Sequence, residues 1–258
     1  MRMKIVAAAA MGLLLLAAGC KSNTAASTPK SSYTAIDWST AGTIQGTIHY
    51  AGTPPKPILI DMSQDPACAL SPPNYTEGYV VHQGGFANVF VYVKSGLGTR
   101  VYSPPSQPVA VDQKGCRYIP HVVGVMAGQP LRFTNSDSTM HNIYIQPAVA
   151  GNQTVNLVQT PGSSQKPSED EVTFPKPELM LPVRCNIHPW MQGFINVAAN
   201  PFYAVSDATG HYVIRGVPPG TYTLAADQEN LGEKTVTVTV GPKQTVTQDF
   251  TYGSTAAK

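Results

Sequence analysis

Apolar and polar residues alternate in short runs along most of this chain. Residues 43–50 alternate loosely and stop at Gly52 and Pro54-Pro55, while residues 87–93 put Val89, Val91 and Val93 on one face. Further apolar runs occupy 121–125 and 131–133, separated by a turn containing Gly128, and 141–145 alternates again. Residues 172–174, 180–185 and 194–197 follow, and then 212–214, 221–225, 234–240 and 245–252. A period of two, at spacings near ten residues with Gly, Pro, Asn and Asp between, predicts strands stacked as β-sandwiches or barrels. No stretch supports a helix of more than three turns, and the polar, Gly- and Pro-containing region 151–166 is expected to be a long loop.

The 23 prolines and 22 glycines fit an all-β chain rich in turns. A length of 258 residues leaves room for one or two domains. A net charge of +2, with no Lys/Arg cluster and no basic stripe interleaved with aromatics, excludes a nucleic-acid surface. The first twenty residues are set apart. Arg2 and Lys4 precede an apolar run at 5–18, too short for a comfortable membrane span, and the run ends in Leu16-Ala17-Ala18-Gly19-Cys20. This resembles the lipobox of bacterial lipoproteins, with Ala17 where that family usually carries leucine. The resemblance implies that Cys20 is lipidated and that acyl chains tether the mature protein to a membrane. Residues 21–40, rich in Ser, Thr, Ala and Lys, read as a flexible tether.

The candidate chemistry lies in Arg184-Cys185-Asn186-Ile187-His188-Pro189-Trp190-Met191. A thiolate, an imidazole and a thioether fall within one tight loop, and soft ligands of this kind together with imidazole suit copper. A second imidazole has to come from elsewhere in the fold. His141, in Asn135-Ser136-Asp137-Ser138-Thr139-Met140-His141-Asn142, is the natural candidate, since it follows a predicted strand and opens another. Zinc is the rival metal, but it has little use for a thioether and no fourth hard ligand is evident.

A strand ending in F-x-N, then H-N-hydrophobic, and much later C-x2-H-x2-M resembles the cupredoxin family. The ligand loop, with Pro189 after its histidine and Trp190 before its methionine, is most similar to the amicyanin type. The resemblance spans residues 105–199. It implies a Greek-key β-sandwich with one type 1 copper, held by His141, Cys185 and His188 with Met191 as a weak axial ligand. It further implies that the Asn142 backbone N–H bonds the Cys185 sulfur and that its side chain pins the two ligand loops. In that family the later histidine shows an edge at the surface, so His188, flanked by Pro189 and Trp190, is expected to mark where a redox partner docks.

With Cys20 assigned to lipid and Cys185 to metal, Cys68 and Cys116 remain as a disulfide pair in an exported chain. Chain entropy values such a loop at roughly 4 kcal/mol. The alternative is that Cys116 joins His121 in a second metal site. His49, His82, His121 and His211 have no ligand spacing and read as surface or hydrogen-bonded structural residues. No Ser/His/Asp set, paired carboxylates, H-x-H pairs or phosphate loop stands out, so no enzymatic activity is expected.

Beyond residue 200 the chain carries Asp207-Ala208-Thr209-Gly210, a strand, and then Pro218-Pro219-Gly220-Thr221-Tyr222. This resembles the second half of a carboxypeptidase regulatory-like, transthyretin-like β-sandwich. A matching first strand lies at the far end, in Gly42-Thr43-Ile44-Gln45-Gly46-Thr47-Ile48. Residues 41–104 and 200–252 are therefore expected to form one discontinuous sandwich around the copper domain, with 253–258 as a tail. The alternative makes 41–104 extra strands of the copper domain. Function is expected to be one-electron transfer by a lipid-tethered periplasmic or cell-surface protein. The alternatives are copper delivery or storage, and a surface binding module with an ancestral copper site.

Overall fold

The computed structural model describes residues 33–253. The signal segment, Cys20 and most of the tether lie outside the described residues, as does nearly all of the tail. Within them the chain is almost entirely β, with a single short helix, Pro66–Ala69. Two apolar cores organise it, each between a pair of sheets, as expected where period-two strands must bury one face.

The first core lies between a five-stranded and a four-stranded sheet. In the former the strands run in the order Val155–Gln159, His141–Ile145, Glu178–Arg184, Gln192–Ala198 and Val122–Met126. The latter holds Ser168–Thr173, Pro130–Asn135, Val109–Gln113 and Tyr118–Ile119. Alternation places Leu131, Phe133 and Asn135 inward from one sheet. Ile143, Ile145, Leu181, Val183, Ile195 and Val197 meet them from the other.

The second core joins the two ends of the described chain. The Gly42–Ala51 strand pairs antiparallel with His211–Val217 and parallel with Thr245–Thr247 and Phe250–Gly253, so that Ile48 stands opposite Phe250. Facing it are Tyr203–Val205, Phe90–Ser95, Gly220–Gln228 and Gly232–Val240. A Cβ at Gly46 would lie 1.9 Å from the Gln248 carbonyl oxygen, so only glycine lets these backbones approach. The Asp207 turn is closed by its own carboxylate, which accepts from the Thr209 and His211 N–H groups at 2.8 and 3.0 Å.

Three expectations are corrected. Region 151–166 is not all loop, because Val155–Gln159 pairs in register with His141–Ile145. Val155 and Leu157 turn partly inward, but the alternation of this short edge strand is hidden because apolar Val158 is exposed and polar Gln159 is buried. The tether is held from Tyr33 onward. The Thr34 N–H donates to the Val101 carbonyl, Ile36 packs on the second core, and Asp37 caps a turn through Ser39 and Thr40. Finally, Met62 and Cys68 from the connection between Ala51 and Val81 are buried in the first core. This connection is fixed there by the Cys68–Cys116 disulfide, which spans a sequence separation of 48 residues.

Candidate metal centre

His141 is delivered by a turn built on one buried amide. Asn135, 0% exposed, donates to the carbonyls of Thr139 and Thr160, both at 2.9 Å, and accepts from the Asp137 N–H at 3.0 Å. The chain then enters the His141–Ile145 strand with the imidazole inward. The second loop is a hairpin tip, since Arg184 and Gln192 are ladder partners on either side of it. Inside it the Met191 N–H donates to the His188 carbonyl at 2.9 Å and the Cys185 N–H to the Met191 carbonyl at 3.3 Å. These short-range bonds turn Cys185, His188 and Met191 into the core.

The two loops meet at one point. His141 Nδ1 and His188 Nδ1 are 2.9 Å apart, and Cys185 Sγ lies 3.9 Å from His188 Nδ1. All three ligand atoms fall within 4.8 Å of one another, and all three residues are buried. Met191 is 1% exposed and packs in the same core. Two backbone N–H groups, from Asn142 at 3.3 Å and His188 at 3.4 Å, point at the sulfur. The Asn142 side chain accepts from the Asn186 N–H at 3.2 Å and donates to Asn156 and the Leu157 carbonyl, so it ties the cysteine loop to the histidine strand.

The electrostatics favour a cation among these donors. Burial would push the Cys185 thiol up, but hydrogen bonds from His141 and from the N–H groups of His188, Ile187 and Asn142 outweigh it, and the net shift is downward. Burial would likewise lower His141. The Asp137 carboxylate, 2.9 Å from Nε2, and the Cys185 sulfur reverse that and raise it. Two imidazole nitrogens and a sulfur turned on one point repel unless a proton or a metal ion lies among them. A thiolate and two imidazoles, with the Met191 thioether buried in the same core, form a donor set suited to copper.

His188 is where the expected geometry fails. Its imidazole does not reach the surface, being 2% exposed. The disulfide-fixed connection folds over it, with Asp65 Oδ2 at 3.0 Å from Nε2 and Cys68 Sγ at 3.8 Å. The Trp190 ring packs against it at 5.0 Å between centroids and donates its N–H to the Cys116 carbonyl. The exposed residues of this loop are Asn186, Ile187 and Pro189, and Trp190 is half-buried. Burial would raise the Asp65 carboxyl, but the Cys68 N–H, the Thr139 hydroxyl, His188 and the Ala67 N–H hold it down at about 2.

Sequence reasoning missed both carboxylates behind the histidines, Asp65 and Asp137. Asp65-Pro66 is a readable helix start, an N-cap followed by proline at the first helical position. Nothing local says that its other oxygen meets a histidine 123 residues away. His121 is a hydrogen-bonded structural residue. It is buried between the Gln192 carbonyl at 3.2 Å and Glu229 at 2.7 Å, beside a cavity of about 400 Å³ that Trp190 also lines.

Residues 195–253 match the family described as the carboxypeptidase regulatory-like domain. The chain thus carries that domain's signature over its C-terminal strands. No curated protein matches the chain. Among solved structures it is similar to the copper-containing nitrite reductase of Thermus scotoductus SA-01, at 24% identity and a TM-score of 0.30. That likeness covers 41% of this chain and 25% of the reductase, so this chain spans about a quarter of that protein's length. It is also similar to amicyanin from Paracoccus versutus, at 21% identity and a TM-score of 0.31, over 42% of this chain and 97% of that one. An amicyanin variant in its reduced Cu(I) form at pH 4 gives 19% identity and a TM-score of 0.31, over 42% and 98%.

Proposed function

We propose that this is an exported, membrane-tethered blue-copper protein that carries single electrons between redox partners. One type 1 copper would be held by His141, Cys185, His188 and Met191. The observation that carries this reading is the convergence of His141, Cys185 and His188 within 4.8 Å, all buried, at the meeting of two loops. Bound there, copper would supply one-electron exchange between Cu(I) and Cu(II) in a site whose ligands change little between the two states. The protein's own part is to hold that arrangement. Asn142 joins the loops, and its N–H with that of His188 supports charge on the sulfur. The close-packed core around Cys185 and Met191 keeps water out.

With His188 covered, the partner surface moves to its neighbours. Ile187 and Pro189 with the half-buried Trp190 form the apolar ground where a redox protein would dock. Lipid on Cys20 would hold the body at a bacterial membrane, facing the periplasm or the cell surface. Residues 41–104 and 200–252, apart from the segment carrying Met62 and Cys68 that packs on the copper domain, are proposed as one discontinuous sandwich around it, a reading supported by the pairing of Gly42–Ala51 with the C-terminal strands.

The test is the visible spectrum of the protein with Cu(II) beside a Cys185→Ser variant. An intense blue thiolate-to-copper band that disappears in the variant supports the reading. Weak, ordinary Cu(II) absorption in both would sink it.

A further inference from the structure

We propose that Asp65 is a positioning residue of the metal centre: a disulfide-anchored carboxylate that fixes the His188 imidazole from behind. The inference rests on the copper reading. Four observations carry it.

First, the Asp65 carboxylate is fully engaged and so cannot rotate freely. Oδ1 accepts from the Ala67 and Cys68 N–H groups at 2.8 and 3.1 Å, as the N-cap of the Pro66–Ala69 helix. Oδ2 accepts from the Thr139 hydroxyl at 2.8 Å and faces His188 Nε2 at 3.0 Å.

Second, the arrangement is duplicated at the other histidine. Asp137 Oδ2 stands 2.9 Å from His141 Nε2 and is itself held by the N–H groups of Gly115 and Cys116.

Third, the disulfide links the two supports. Cys68 lies in the helix capped by Asp65, and Cys116 donates its N–H to Asp137. Asp65, Cys68 and His188 cluster on one side, and Cys116, Asp137 and His141 on the other.

Fourth, the His188 side chain is 3% exposed, so in the intact protein Asp65 and not bulk solvent meets Nε2.

An Nε2–H bonded to a carboxylate leaves Nδ1 as the lone-pair nitrogen, aimed at Cys185 and His141. It also fixes the ring plane and makes the imidazole a stronger ligand. Without Asp65 a buried N–H loses its partner and the ring is free to tilt. The negative charge behind the ring also favours the more highly charged metal ion, so its removal should raise the reduction potential.

The experiment compares the full chain with Asp65→Asn and Asp65→Ala variants. Asn keeps the N-cap and removes the charge, whereas Ala removes both. In Asp65→Ala, transfer of bound copper to a chelator should be about 10- to 100-fold faster. The midpoint potential should rise in both variants. In the metal-free protein the His188 Nε2–H should give a slowly exchanging NMR signal that Asp65→Ala abolishes. A wild type that never forms the blue band defeats the copper reading, and the NMR signal then still decides whether Asp65 holds His188. A blue wild type whose Asp65→Ala variant keeps the release rate, the potential and the N–H signal overturns the inference. So does an Asp65→Ala variant that only melts earlier, which would make Asp65 a helix cap and nothing more.

Discussion

The two sandwiches solve the same packing problem with different materials. The one that joins the chain ends is filled with aliphatic and aromatic side chains, among them Tyr50, Phe86 and Tyr252 in edge-to-face contact. Its buried polar side chains, among the described residues, are Ser206 and Gln228, and both are hydrogen-bonded. The other buries Gln113, Asn135, His141, Asn142, Gln159 and His188 around the two ligand loops, and Asn74, His121, Gln129 and Asn196 outside them. Burying such groups costs free energy unless each finds a partner. A core that accepts that cost most densely around two loops, beside a plainer core in the same chain, has been shaped there by something other than stability. The sandwich that joins the chain ends reads as scaffold, the other as scaffold plus site.

The largest effects should come from truncating each core in turn. Phe86→Ala and Phe133→Ala both remove a fully buried ring and should each cost about 3–5 kcal/mol in denaturant unfolding. They should part in the spectrum of the copper-loaded folded fraction. Phe133 packs against Tyr118, whose hydroxyl donates to the Asn142 carbonyl, so its loss should shift the thiolate band. Phe86 lies in the other core and should leave the band in place. A Phe86→Ala band that moves as far as that of Phe133→Ala would break the division of labour.

Next in size is the disulfide. Replacing Cys68 and Cys116 together by serine should destabilise the site-bearing sandwich by about 2–4 kcal/mol. Hydrogen exchange should place the lost protection in Pro130–Asn135, His141–Ile145 and the helix, and leave Gly220–Gln228 protected. Equal loss in both sandwiches would mean that they unfold as one unit.

Much of this was legible because it is local. The His141–Ile145 strand declares itself by alternation, and Cys185, His188 and Met191 share one loop, so their joint chemistry can be read without a fold. Cys68 and Cys116 could be paired by counting. What escaped was set at long range. Val155–Gln159 gains its identity from pairing with His141–Ile145, not from its own composition. Ile36 looks like tether until the second core receives it. The cover on His188 is the clearest case. The family resemblance implies an exposed histidine, and only a segment more than a hundred residues earlier, brought over by a disulfide, closes it.

The smallest effect concerns the joint between the sandwiches. His121 precedes the Val122–Met126 strand of one, and Glu229 follows the Gly220–Gln228 strand of the other. Both side chains are over nine-tenths buried and meet at 2.7 Å. Burial alone would lower the His121 pKa, but Glu229, with Glu77 at 3.9 Å and the Gln192 carbonyl, outweighs it, and the net shift is upward. A folded pKa above the unfolded value near 6.5 fixes the sign. The pair contributes fully below about pH 6.5 and loses its contribution as pH rises through the folded value. A double-mutant cycle with His121→Asn and Glu229→Gln should therefore give a coupling of about 1–2 kcal/mol at pH 6, shrinking toward pH 9. Because the pair is buried, added salt should change the coupling little. A coupling that holds constant across that range would make the contact a neutral hydrogen bond. Absence of coupling at every pH would leave the sandwiches joined by apolar packing and chain connectivity, with no ionic latch between scaffold and site.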